Sequence, residues 1–248
     1  TVGLDLTLTA VDPGLLVLEW PGRLDGQLRV DASLGAQTDW KVAVASLSGA
    51  LRDAPLTLTG QLEGRDAQLR AGQMDLHWGA GGAVIAVTSA DAVSAELDHF
   101  DLALVGPWQG RVSGHVDTHL GAEVIASTLA ELSIDDLSAA GVVSRQLRLS
   151  KRAGWSLTVA SEEMDLDGTL LQQSLLTVEG SAAQHRIDFG TREARGQFDL
   201  TLAGSWLDAV WSGTLERLEL HPAKGAAWSL ADTAALRLEL KIRQQQNA

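Results

Sequence analysis

Residues 23–34 read Arg-Leu-Asp-Gly-Gln-Leu-Arg-Val-Asp-Ala-Ser-Leu. Leu24, Gly26, Leu28, Val30, Ala32 and Leu34 fall on one parity, and Arg23, Asp25, Gln27, Arg29, Asp31 and Ser33 on the other. Only a strand, whose side chains alternate between two faces, separates these sets. The same period of two fits Trp40, Val42, Val44; Leu56, Leu58, Gly60, Leu62; Trp155, Leu157, Val159; Phe198, Leu200, Leu202; and Leu236, Leu238, Leu240. Helical spacing fits few windows, and only Val93 to Leu97 and Ser127 to Leu132 offer a helical turn. Turn chemistry is strongest at Asp12-Pro-Gly14, Trp20-Pro-Gly22, Glu63-Gly64, Gly79 to Gly82, Glu179-Gly180 and His221-Pro222. An all-β meander of strands roughly six to ten residues long follows.

Repeats sharpen this picture. Leu4-Asp-Leu-Thr-Leu-Thr-Ala10, Phe100-Asp-Leu-Ala-Leu-Val-Gly-Pro-Trp108 and Phe198-Asp-Leu-Thr-Leu-Ala-Gly-Ser-Trp206 share one phrase, which reads as a strand each time. A second phrase joins Trp40-Lys-Val-Ala-Val-Ala-Ser46 to Trp155-Ser-Leu-Thr-Val-Ala-Ser161, each leading into a Leu-x-Gly strand. The spacing follows no fixed period, which argues against a parallel β-helix and against propeller blades. Repeats build surfaces and grooves, whereas catalysis needs singular constellations.

Composition excludes several functions. The chain has 248 residues, 45% of them hydrophobic, so it folds rather than remaining disordered. With 19 basic and 32 acidic side chains its formal charge is −13, and the four lysines are scattered, so nucleic acid is not an expected partner. It has no cysteine, hence no disulfide and no thiolate metal site. The most apolar stretch, Trp78 to Val87, is too short and Gly-rich for a membrane span of ~20 residues.

No active site emerges. His115 and His119 would lie on one strand face ~13 Å apart, too far for one ion. Ser161-Glu-Glu-Met-Asp-Leu-Asp-Gly168 lacks the ligand spacing of an EF-hand. Gly79-Ala-Gly-Gly82 lacks the helix and the Lys-Ser or Lys-Thr pair of a phosphate loop. Neither a nucleophile elbow nor an acid and base pair is found, and no metal or cofactor is expected. Among the eight tryptophans, Trp40, Trp108, Trp155 and Trp206 are candidates for the rim of an apolar groove, with end-of-strand packing as the plainer reading.

The phrases Trp211-Ser-Gly-Thr-Leu-Glu-Arg-Leu-Glu-Leu220 and Trp228-Ser-Leu, with the Leu-x-Gly-x-Leu strands at Leu24 to Leu28, Leu47 to Leu51 and Leu58 to Leu62, resemble the TamB family. That is the inner-membrane subunit of the translocation and assembly module, related to the AsmA-like proteins of Gram-negative bacteria. The resemblance implies an elongated, U-shaped β-sheet, the β-taco, forming a trough with an apolar interior. It implies a periplasmic location, phospholipid as cargo and a TamA-like outer-membrane barrel as partner of the full protein. Residues 1–248 are then expected to form one continuous repeat groove within a longer protein, the inner-membrane anchor lying in a segment absent here. Leu24, Leu28, Val30, Leu56, Leu58, Leu62, Leu200 and Leu202 are the expected lining. Acyl-chain conduction is the leading function and scaffolding of outer-membrane protein assembly the rival. A packed, dry adhesin is the third reading, and enzymatic chemistry is excluded.

Overall fold

A computed structural model describes residues 1–239 except 122, 123, 194, 208 and 209, and leaves the side chain of residue 125 undescribed. Leu240, expected to end a strand, lies outside the described residues. Strand accounts for 76% of the structure, as the alternation requires, in two compact units spanning residues 1–140 and 141–248.

The first unit contains β1 (Val2–Val11), β2 (Gly22–Ser33), β3 (Asp39–Leu51), β4 (Ala54–Arg65), β5 (Gln68–Trp78), β6 (Gly81–Ser89), β7 (Ala92–Asp101), β8 (Gln109–His119) and β9 (Leu129–Ala139). Each pairs antiparallel with the next, giving an open meander. The helix α1 (Val124–Ser127) is a single turn before β9. The second unit contains β10 (Val142–Arg152), β11 (Trp155–Leu166), β12 (Thr169–Gly180), β13 (His185–Glu193), β14 (Gly196–Leu207) and β15 (Val210–Pro222), again in antiparallel sequence. The far edge of β15 carries both β16 (Trp228–Ser229) and β17 (Ala234–Glu239).

Several strands are longer than expected because bulges let one strand change parity. In β3 the apolar residues run Trp40, Val42, Val44 and then Leu47, Gly49, Leu51. The register steps from Val44 opposite Gly60 to Leu47 opposite Leu58, three residues against two. The extra residue keeps both halves of β3 facing the same way, so the Trp40 phrase and the Leu-x-Gly phrase form one strand of 13 residues. In the second unit, interruptions of the ladder carry buried hydroxyls: the β10–β11 pairing is broken between Ser144 and Leu147 without a change of register, and the β12–β13 pairing steps from Gln172 opposite Arg192 to Leu175 opposite Gly190. Ser144 Oγ lies 2.9 Å from Ser161 Oγ and 3.1 Å from the carbonyl oxygens of Gln146 and Glu163, to either of which its one proton can be donated, while Thr191 Oγ1 bonds the Gln172 carbonyl and Ser174. A broken ladder leaves carbonyls without strand partners, and these hydroxyls satisfy them.

Four expectations are corrected. Val93 to Leu97 is strand, with Val93, Ala95 and Leu97 opposite Val87, Ile85 and Ala83 and the polar Ser94 and Glu96 on the other face. Ser127 to Leu132 spans the end of α1 and the start of β9, where the hydroxyls of Ser127 and Thr128 take the Val124 carbonyl and stop the helix. Glu63-Gly64, Glu179-Gly180 and His221-Pro222 belong to the closing residues of β4, β12 and β15 rather than to breaks. The Phe100 phrase leaves the sheet after Asp101, whose side chain accepts from Ala103 N and caps a 3-10 turn at Leu102–Leu104. Its twin at Phe198 stays extended throughout β14, with Ser205 opposite Ser212. Pro107 stands where the twin has Ser205, and proline cannot donate to a ladder.

Candidate functional site

In the first unit the registers assemble apolar rows running from strand to strand. One row passes through Leu6, Leu28, Val44, Gly60, Met74, Ile85, Ala95, Val116 and Ala130, one residue from each of the nine strands. The next takes in Leu4, Val30, Val42, Leu62, Gly72, Val87 and Val93. A third includes Gly26, Leu47, Leu58, Leu76, Ala83 and Leu97. Most of these side chains are half-buried, and on β1 Val2 and Leu4 are more than half exposed. An amphipathic sheet normally buries its apolar face under a second layer, yet the helix among the described residues is one turn long. This broad, incompletely covered apolar surface is the candidate site.

One end of that surface is sealed. Leu24, Leu51, Leu56, Trp78 and Leu104 form a buried cluster, to which Leu47, Leu58, Leu76 and Phe100 add partial cover. The 3-10 turn Leu102–Leu104 folds in over it through Leu104, while the turn Pro13–Leu15 at the same strand ends buries none of its residues. Trp20 contacts Trp78 at 5.6 Å between ring centroids, and Arg52 at the β3–β4 turn donates to the Leu104 carbonyl. Trp78 is 3% exposed and donates its indole N–H to the Leu51 carbonyl at 3.0 Å.

The expected lining residues therefore occupy two environments. Leu24 and Leu56 belong to the buried cluster, while Leu28, Val30, Leu58 and Leu62 are half-buried members of the open rows. In the second unit Leu202 sits between Ile187 and Leu215, and Leu200 between Phe189 and Leu218, on a half-buried apolar face of the same kind. Lys151 stands opposite Leu157 on that face; burial lowers its pKa, and its ammonium donates to the carbonyls of Arg152 and Gly154.

The four tryptophans expected at a rim all lie at or beyond strand ends. Trp40 lies over Gly64, where an added Cβ would sit 2.2 Å from the ring, and its N–H reaches the Asp66 carbonyl at 3.0 Å. Trp155 stacks on His185, Trp206 pairs with Trp211 across β14 and β15, and Trp108 follows the Phe100 turn with 45% exposure. Residue types alone did not single out Trp78, Trp211 or His185, the most enclosed rings. The available signal was the set of glycines opposite them, since Gly204 and Gly213 leave room for Trp211 as Gly64 does for Trp40.

The opposite faces are polar and covered with ion pairs. His115 lies between Glu96 (2.6 Å) and Asp117 (2.7 Å), which raise its pKa, the Asp117 bond most of all. Lys41 pairs with Glu63, Arg111 with Asp136, and Arg186 with Asp188 and Glu216. The register also gathers Asp199, Glu219 and His221, with potential ligand atoms within 4.8 Å of one another, a grouping invisible in sequence because it spans two strands. Arg217 and His221 hold the Glu219 carboxyl down to about 2, and the bond from Arg217 at 2.8 Å already occupies that carboxylate. No helix among the described residues is long and apolar enough to cross a membrane.

No solved structure matches the chain. The family model for the TamB N-terminal domain matches residues 2–248, nearly the whole length, as the Leu-x-Gly-x-Leu strands led one to expect. The open apolar rows and the polar outer faces are thus features of a transport or assembly module of the Gram-negative envelope, and the chain belongs to the TamB family.

Proposed function

We propose that the apolar faces of this chain shelter phospholipid acyl chains on a path between the inner and outer membranes, as a portion of a longer, inner-membrane-anchored periplasmic protein that works with a TamA-like barrel. The observation that carries this reading is the row structure of the first unit: apolar residues in register across all nine strands, most of them half-buried, with no second layer of secondary structure among the described residues of that unit. Each sheltered methylene gains ~0.8 kcal/mol on leaving water. Rows of similar Leu, Val, Ile and Met side chains repeat that gain from strand to strand, which suits movement along the surface better than storage at one position. Headgroups are expected at the strand ends, where tryptophans and charged side chains gather.

Photocrosslinking tests the reading. A photoreactive residue at Leu58 or Leu202 is expected to capture phospholipid in cells, whereas one at the outward-facing Thr57 is not. Leu28→Arg, which puts a charge in the longest row, is expected to abolish lipid capture at Leu58 while the protein remains folded. Capture of polypeptide in place of lipid at these positions would favour the scaffold for outer-membrane protein assembly.

A further inference from the structure

His185 is the one buried histidine among the described residues, at 6% exposure, and neither the ion pairs nor the lipid reading uses it. Its ring stacks on Trp155 at 6.2 Å and 17°, and lies 6.3 Å from Trp211. His185 Nδ1 is 3.0 Å from the carbonyl oxygen of Ser181, and Nε2 is 2.7 Å from the indole nitrogen of Trp211. A carbonyl only accepts and an indole N–H only donates, so this pair of contacts fixes a neutral ring carrying its proton on Nδ1. A second proton would sit on Nε2 and face the Trp211 N–H, donor against donor.

Trp211 has no alternative place within the sheet. Its ring covers Gly204 and Gly213, where an added Cβ would lie 2.5 and 2.6 Å from ring atoms, so the ring already rests on backbone. Once its acceptor is lost, the indole moves outward, away from the sheet. Among the described residues, the contacts of the His185 and Trp211 rings include no carboxylate. The neighbours opposite His185 are Gly180 and Gly204, Trp155 stacks on it, Lys151 of β10 is a charged group on this face beyond Trp155, and Glu193 shares the face at the far end of β13. Arg186 and Asp188 of β13, Glu179 of β12, Asp199 of β14 and Glu216, Arg217 and Glu219 of β15 alternate onto the opposite face or its ion-pair network.

We propose that His185 and Trp211 form a proton-operated latch: protonation of His185 releases the Trp211 ring and uncovers the end of the apolar face in the second unit. The latch concerns the wall of the surface and holds whatever the surface binds.

NMR of the 248-residue chain, following tryptophan indole N–H groups and histidine rings from pH 8 to pH 4, tests it. The Trp211 N–H is expected to lose protection from exchange, relative to a free indole at the same pH, by on the order of tenfold as His185 gains its second proton, the factor that loss of one buried hydrogen bond implies. His185→Gln, which keeps a side-chain acceptor but cannot take up a proton, is expected to hold the Trp211 N–H protected throughout. Protection of Trp211 that survives protonation of His185, or a His185 ring that stays neutral until the whole chain unfolds, overturns the latch. So does loss of protection in His185→Gln in step with the native chain. Should that variant fail to fold, the titration of the native chain decides alone.

Discussion

His115 bridges Glu96 on the neighbouring strand and Asp117 on its own, so its positive form is favoured and its pKa is raised. A raised histidine contributes stability that is fully present below its unfolded value and is lost as pH rises through its folded value. Replacing His115 by Ala is therefore expected to lower the melting temperature at pH 5.5 and to change it little at pH 9, as thermal unfolding at the two pH values will report. Glu219 has the opposite sign. Its carboxyl is held at about 2 by Arg217 and His221, so its contribution is present above the ordinary glutamate range and disappears as pH falls toward that value. Both groups are half-buried at the solvent-facing side of the sheet, and salt is expected to weaken each effect. The buried hydroxyls behave differently. Ser144 is 2% exposed and its hydroxyl serves the Gln146 and Glu163 carbonyls, so Ser144→Ala strands acceptors out of water and is expected to cost about 1–3 kcal/mol in denaturant unfolding at any salt concentration.

At the level of the strand, the tryptophan-over-glycine contact explains why glycines inside strands are not turns. A methyl group on Gly64 would meet the Trp40 ring at 2.2 Å, so Gly64→Ala displaces the ring from its bond to the Asp66 carbonyl. The expected loss is about 1–3 kcal/mol, measurable by urea unfolding, and Trp40→Ala in the same chain should remove only the part due to the ring, because the added methyl group also meets the Gln68 carbonyl oxygen at 2.5 Å. Alternation made the strands legible in the sequence, because a surface apolar on one side and polar on the other must repeat every second residue. Their ends were less legible. The two-residue turns at Arg52-Asp53, Asp66-Ala67 and Ala90-Asp91 contain no glycine, and Arg52, Asp53, Asp66 and Asp91 adopt positive φ there. Aspartate tolerates that region, a weaker signal than glycine, while the visible glycines at 64 and 180 had other work within β4 and β12. Bulges were hidden for a related reason: a parity change inside one strand looks, residue by residue, like two short strands. The Phe100 and Phe198 phrases show how few residues divert similar sequences, since Ala103, Val105 and Pro107 in place of Thr201, Ala203 and Ser205 accompany a departure from the sheet.

Across the molecule, polar and apolar residues are sorted onto opposite faces of each unit. Leu28, Val30, Leu58, Leu62, Leu200 and Leu202 were legible as members of an apolar face because period two fixes which side they share. The buried cluster around Leu24 and Leu56 was not, because it depends on Leu104 and Trp20 arriving from turns far away in sequence. With a net charge of −13 and no cluster of basic residues in the sequence, contact with lipid is expected to rest on acyl chains rather than on attraction to anionic headgroups. Lipid occupancy should accordingly change little between low and high salt, as lipid quantification after purification at two ionic strengths will show. The most direct measurement is native mass spectrometry of the purified chain, with extraction and identification of whatever dissociates. Bound phospholipid in the native chain, lost in Leu28→Arg and Leu58→Arg variants that remain folded, is the predicted result. A chain that runs free of lipid, or variants that keep the same lipid load, would contradict the assignment of the apolar rows to acyl chains.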